Sequence, residues 1–113
     1  MKIKRLLLFF ALFLMAGCSA DSAEDKAVAP QEITVFAASS LTDAFNEIAE
    51  AFKAQHEGVE VVLNYAGSTQ LAAQLSEGAQ ADVFASANST QMQVAVDAGR
   101  ITAGSEKLFV SNR

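Results

Sequence analysis

"ITVFAASSLTDAFNEIAEAF", Ile33 to Phe52, decides the fold. Its first six residues, Ile33 to Ala38, are β-branched and apolar without alternation, as in a short strand covered on both faces. Two serines follow. Then Leu41, Ala44, Phe45, Ile48, Ala49 and Phe52 recur at intervals of three and one, which puts them on one face of a helix. The segment therefore reads as a strand that turns through Ser39 and Ser40 directly into an amphipathic helix.

Downstream the same alternation repeats. "HEGVEVVLNYAG" supplies a turn at Gly58 and a second strand, Val59 to Tyr65. "STQLAAQLSEG" predicts a second helix with Leu71 and Leu75 inward and Gly78 as its stop. "ADVFASA", Ala81 to Ala87, is a third strand, and "STQMQVAVDAGRI" a third helix ending at Gly99. Strand and helix in strict alternation mean parallel-sheet βαβ units with helices on both faces, so the class is α/β.

Upstream the composition changes twice. Residues 1–17 have a basic start (Lys2, Lys4, Arg5) and a ten-residue apolar run, "LLLFFALFLM", followed by small residues, the pattern of an export signal. A spanning helix needs about 20 apolar residues, so this run is expected to be cleaved rather than to stay in a bilayer. "LMAGC" resembles the lipobox of bacterial lipoproteins, with Met15 at the place where leucine is usual. That resemblance makes Cys18 the lipid-modified first residue of the mature chain and places the protein outside the cytoplasm, in the periplasm or on the outer face of the cell membrane. The alternative is ordinary secretory cleavage between Ala16 and Ala20, with Cys18 an incidental thiol. The chain has one cysteine, so it can form no internal disulfide. Residues 18–32 hold small and charged residues and the sole proline; they read as a flexible tether with a reach of roughly 20 Å. Residues 33–113 are the folded part.

Without residues 1–17, five of the eight Lys and Arg remain against all thirteen Asp and Glu, a net charge of −8. Such a surface argues against nucleic acid or an anionic membrane face as partner.

In open α/β sheets ligands sit beyond the carboxyl ends of the strands, where the chain turns into helix N-termini. Two of these turns share a design. Ser40 stands three residues before Asp43, a capping-box spacing, and Ser68 holds the matching place after "YAG". At the third turn Ser86, Asn88 or Ser89 would cap. For any one serine, capping alone explains its presence. Two serine-started helices beside small residues (Ala37, Ala38, Ala66, Gly67) at one sheet edge suggest more, because small side chains let a ligand approach the backbone. Helix N-termini offer unpaired N–H donors and partial positive charge, and hydroxyls add donors. Neither turn carries Lys or Arg, so an anion would be held by dipoles and hydrogen bonds alone. Those short-range donors would outweigh the diffuse, salt-screened repulsion of a −8 surface. A site made only of donors suits an ion with no proton of its own; a protonated phosphate would leave its hydrogen without an acceptor.

"FAASSL", "YAGSTQLAAQ", "GAQADVFASA" and the closing "LFVSNR" together closely resemble the amino-terminal lobe of the molybdate-binding, substrate-binding lipoproteins of bacterial ABC transporters, over Ile33 to Arg113. The resemblance implies the first lobe of a two-lobe periplasmic binding protein of type II. It implies an extracytoplasmic receptor for molybdate or tungstate, a permease with its ATPase as partner, no cofactor, and a monomer. The serine before the leucine of the first motif and the serine of the second would hydrogen-bond the oxyanion. These are Ser40 and Ser68, with Ser39 as a third candidate; the metal enters as an oxyanion, with no direct ligand to a metal cation. The chain departs from the pattern at Asn88, where Asp is frequent, and at Gln91-Met92, where a Trp-Met pair is usual. The resemblance also implies a second lobe with further donors, so residues 18–113 alone are expected to be a truncated piece that binds oxyanion weakly if at all.

Other classes fit the same residues less well. A Ser-His enzyme needs a base within reach of Ser40 or Ser68. The sole histidine, His56, falls at the far end of the first helix, about 20 Å from Ser40, and is expected to face solvent. No G-x-S-x-G elbow and no Cys/His cluster for a metal cation occur. Asp82 enters a strand and Asp97 closes a helix, which makes them structural or solvated carboxylates. A receptor for sulfate or another tetrahedral oxyanion, and a purely structural lipoprotein, remain as alternatives.

Overall fold

The computed structural model describes residues 29–111; the export signal, Cys18 and most of the tether lie outside the described residues. Three parallel strands, β1 (Gln31–Ala38), β2 (Val59–Ala66) and β3 (Val83–Ala85), form one sheet in the order β2-β1-β3. Helices α1 (Thr42–Gln55), α2 (Ser68–Ser76) and α3 (Ser89–Asp97) follow the strands in turn. The α/β reading holds.

β1 is the central strand, and its last four residues are buried, as its unbroken apolar run requires. Alternation sends its side chains to two cores. Phe36 packs with Leu71, Ala72 and Leu75 of α2, with Phe84, and with Ala95 of α3. Val35 and Ala37 face the opposite side with Ala85, where Leu41, Phe45 and Tyr65 close over them. Helices thus cover both faces, α2 and α3 on one and α1 on the other.

The starts of β1 and β3 differ from the sequence reading, each because of a bond to a residue distant in the chain. β1 begins two residues early, within the segment assigned to the tether, because Gln31 N–H donates to Gly58 O (2.8 Å) and Gln31 pairs with Val59. β3 begins two residues late. Asp82 N–H donates to Thr34 O, and the Asp82 carboxylate accepts from Thr34 N–H, both at 2.8 Å. A side chain here takes the donor that a ladder bond would otherwise use, so strand pairing starts at Val83.

The helix ends follow their residues. Gly78 (φ +109°) and Gly99 (φ +71°) sit one residue past the C-caps of α2 and α3, in the left-handed region that glycine reaches without strain. Each donates to the carbonyl three residues back, Gly78 to Leu75 and Gly99 to Val96, while Ala79 and Arg100 donate five back to Gln74 and Ala95. This paired pattern closes a helix and satisfies carbonyls that would otherwise be orphaned. At the start of α3, Asn88 Oδ1 accepts from Gln91 N–H at 2.9 Å, which selects Asn88 among the three caps the sequence offered. Asn88→Ala should lower unfolding free energy by about 1 kcal/mol, read from the urea midpoint; no change would mean that the cap is idle.

α1 matches its predicted stripe only in part. Ala49 is buried and Phe45 half-buried, but Ala44 is exposed and Ile48 keeps 56% of its surface. Ile48 and Phe52 instead line an open apolar groove of about 330 Å³, with Ile33, Val61, Leu63 and Val83 of the sheet. On that same side Phe109 meets Phe45 edge to face, with ring centroids 6.2 Å apart.

Candidate functional site

The register places Ala38 beside Ala66 and Ala37 beside Ala85, so all three strands end at one sheet edge. Three turns leave that edge. After β1 comes a single 3-10 turn, Ser39–Leu41, before α1. After β2, Gly67 leads directly into Ser68, the first residue of α2. After β3, Ser86, Ala87 and Asn88 lead into α3.

Neither Ser40 nor Ser68 caps a helix, which corrects the capping-box expectation. A side-chain cap needs its oxygen on the extended residue just before the first turn. Ala38 (φ −56°, ψ 140°) and Gly67 (φ −62°, ψ 141°) occupy those places, and neither has a side-chain oxygen. Leu41, which precedes α1, makes no side-chain cap bond either. The serines fall inside the turns instead. On α2, the first N–H to find a helical acceptor is that of Leu71, which donates to Gly67 O at 3.0 Å. The preceding N–H groups have no intrahelical partner, so they are open donors at the positive end of the helix dipole. Gly67 does not need glycine for its backbone angles; its contribution is space, since a Cβ there would meet nothing within 4 Å.

The two serines are held differently. Ser40 is exposed in the middle of its turn, beside the exposed Ser39. The carbonyl of Ser39 accepts from Thr42 N–H and, at 2.8 Å, from Thr42 Oγ1. Ser68 is 8% exposed, the single buried polar residue among the described residues. Its Oγ accepts from Ala87 N–H at 2.9 Å. A hydroxyl that has accepted a bond still carries its own proton, so Ser68 ties the second turn to the third and keeps a donor to offer. In the third turn Ser86 Oγ donates to Asn88 O (2.7 Å) and accepts from Asn88 N–H (3.3 Å). Those groups are spent within the turn.

Tyr65 belongs to this edge, and the sequence reading missed it. Its O–H is shared between Thr42 O (3.1 Å) and Asn46 Oδ1 (2.9 Å) in the first turns of α1. Burial, with the nearby Asp43 carboxylate adding to it, raises the phenol above its usual pKa and keeps it a neutral donor. The available signal was its position: the sole tyrosine, in step with Val61 and Leu63 on the α1 side of β2, three residues before Ser68.

Other candidates fall elsewhere. His56 is the C-cap of α1, at the opposite end of that helix from Ser40, with its ring 4.1 Å from that of Phe52. Asp82 is engaged with Thr34, and Asp97 accepts from Gln93 Nε2 at 2.8 Å. The apolar groove under α1 contains none of the serines. Among the described residues no group of three or more His, Cys, Asp or Glu could hold a metal ion, and no helix is long and apolar enough to cross a membrane. What the edge offers is neutral donors around small residues, an arrangement able to hold an acceptor-only anion.

Residues 33–113 match the family model of bacterial extracellular solute-binding proteins, and the chain belongs to that family. Among its curated relatives, the molybdate-binding protein ModA of Mycobacterium tuberculosis (strain H37Rv) is 43% identical over 102 residues, covering 87% of this chain and 39% of the relative. The proposed ABC transporter substrate-binding lipoprotein YvgL of Bacillus subtilis is 33% identical over 102 residues, covering 90% of this chain and 39% of the relative. Among solved structures, the substrate-binding domain of a proposed molybdenum ABC transporter from Clostridium difficile superposes with a TM-score of 0.56 at 36% identity, over 58% of this chain and 29% of that one. The chain thus spans 39% of the length of these curated relatives. The parallel sheet with helices on both faces is consistent with one lobe of a periplasmic binding protein.

Proposed function

We propose that this chain forms part of an extracytoplasmic receptor that captures molybdate or tungstate for uptake by an ABC transporter. The observation that carries the reading is the pair of turns at one sheet edge. Both helical starts lack a side-chain cap, both hold a serine, and the buried Ser68 keeps a proton free while its oxygen is engaged. Ser40 and Ser68 donate to the oxyanion, with Ser39 as a third donor. No basic side chain is needed, because an ion that only accepts hydrogen bonds is matched by neutral donors and helix dipoles. The names of the relatives, molybdate-binding among them, favour this ion over sulfate.

Residues 1–17 serve as the export signal, Cys18 as the lipid-anchored first residue of the mature chain, and residues 18–30 as the tether up to β1. The lipoprotein name of the Bacillus subtilis relative supports that anchor. The receptor acts as a monomer and delivers its ion to a permease with its ATPase. It is not an enzyme: the one histidine stands at the wrong end of α1 to activate either serine.

Titration calorimetry on the full-length gene product with molybdate, tungstate, sulfate and phosphate tests the reading. Binding heat is expected with the first two, and far weaker binding of the others. Equal affinity for sulfate, or no heat with any of the four, would overturn it.

A further inference from the structure

The three turns are joined by side chains. Between the first and second, Tyr65 at the end of β2 shares its O–H between the carbonyl of Thr42 (3.1 Å) and Asn46 Oδ1 (2.9 Å), both in the first turns of α1. Thr42 in turn donates through both its N–H and its Oγ1 to the carbonyl of Ser39. Between the second and third, Ser68 Oγ accepts from Ala87 N–H. A continuous chain of hydrogen bonds therefore runs from β2 through Thr42 to the turn that carries Ser39 and Ser40. That turn has no side-chain cap of its own. The ring of Tyr65 packs with Val61 and Leu63 against Val35, Ala37 and Ala85, a role phenylalanine would fill equally. The hydroxyl adds only the tie to α1.

We infer that Tyr65 is a positioning residue, which acts through Thr42 to hold the Ser39–Leu41 turn in fixed relation to Ser68 so that both turns meet one oxyanion. The inference rests on the receptor reading above. Two donor sets on separate elements bind one small ion well only if their spacing is set beforehand; otherwise the ordering of the loose turn is subtracted from affinity.

Calorimetry with tungstate on the full-length gene product, with thermal midpoints measured in parallel, tests it. Tyr65→Phe keeps the ring and removes the donor. It should weaken tungstate binding about five-fold, the equivalent of one ordinary hydrogen bond, with little change in midpoint. Because the effect passes through the first turn, its cost should shrink when Ser40 is already alanine, whereas a packing defect would cost the same in either background. Thr42→Val should repeat the loss, and Thr42→Ser, which keeps the hydroxyl, should restore wild-type affinity.

Tyr65→Phe binding within two-fold of wild type, or a cost fully additive with Ser40→Ala, would overturn the inference and leave the receptor reading standing. Should Tyr65→Phe fail to fold, equal affinities of Thr42→Val and Thr42→Ser would overturn it in the same way. A wild-type protein that takes up no tungstate would remove both.

Discussion

If Ser40 and Ser68 hold the oxyanion as proposed, replacing both by alanine should weaken molybdate binding by the full-length gene product by roughly 2 to 6 kcal/mol, since each substitution would remove a hydrogen bond to a charged group. The two halves of that loss should differ in what accompanies them. Ser40 is exposed, caps nothing, and lies in a turn whose tie to α1 runs through the carbonyl of Ser39. Ser40→Ala should therefore reduce affinity while leaving the unfolding midpoint where it was. Ser68 is buried and holds the N–H of Ala87. Ser68→Ala removes that acceptor, so it should reduce affinity and also cost about 1 kcal/mol of stability, the net worth of one ordinary hydrogen bond. Calorimetry and urea unfolding on the two single variants and the double variant separate these contributions. An unchanged affinity in the double variant would return both serines to a purely structural role.

The largest loss of stability is expected from Leu71→Ala, at about 2 to 5 kcal/mol. Among the described residues Leu71 is the largest side chain that is fully enclosed, with 0% exposure, in the cluster of Phe36, Leu75, Phe84 and Ala95. Phe36 and Phe84 are fixed on paired strands and Leu75 on the same helix, so collapse around the gap can recover only part of the transfer energy. Against a typical domain stability of about 5 to 15 kcal/mol, such a loss removes a large share. It also bears on the site, since Leu71 lies three residues after Ser68 and secures the first turn of α2 against the sheet. A urea midpoint corresponding to less than 1 kcal/mol would mean that the cluster is not the core.

Much of the fold could be read from the chain because its signals are periodic. The unbroken run at Ile33 to Ala38 marked a doubly covered strand, and Leu71 with Leu75 marked the inner face of α2; both are buried as expected. The α1 stripe misled where it counted every apolar residue as covered. Periodicity says which residues share a face but not what lies over that face, and Ile48 is left open beside the groove. Strand ends were lost for a related reason: Asp82 and Gln31 are fixed by bonds to Thr34 and Gly58, partners 48 and 27 residues away, which no local pattern contains. At the candidate site, the location of Ser40 and Ser68 was legible and their hydrogen bonding was not. A cap is defined by a difference of one residue in backbone angle, and Ala38 and Gly67 took that place. The Tyr65 link stayed hidden because it joins two elements by a single atom.

Among the described strands the central one comes first in the chain, and this bears on the order in which they can pair. β1 must wait for β2, whose paired residues lie 28 positions on, and for β3, 48 positions on. The longer loop raises the entropy of closure by only about 0.5 kcal/mol, so chain length hardly separates the two events. Extent of pairing does, because β2 runs beside all eight residues of β1 and β3 beside three. Among the three described strands, nucleation is therefore expected at the β1–β2 pair with α1 folded back across it, with β3 joining afterwards. The bond between Ser68 and Ala87 can form only once β3 has joined β1, so the tie that fixes the second turn to the third is made after the β1–β2 pair that carries both serine turns.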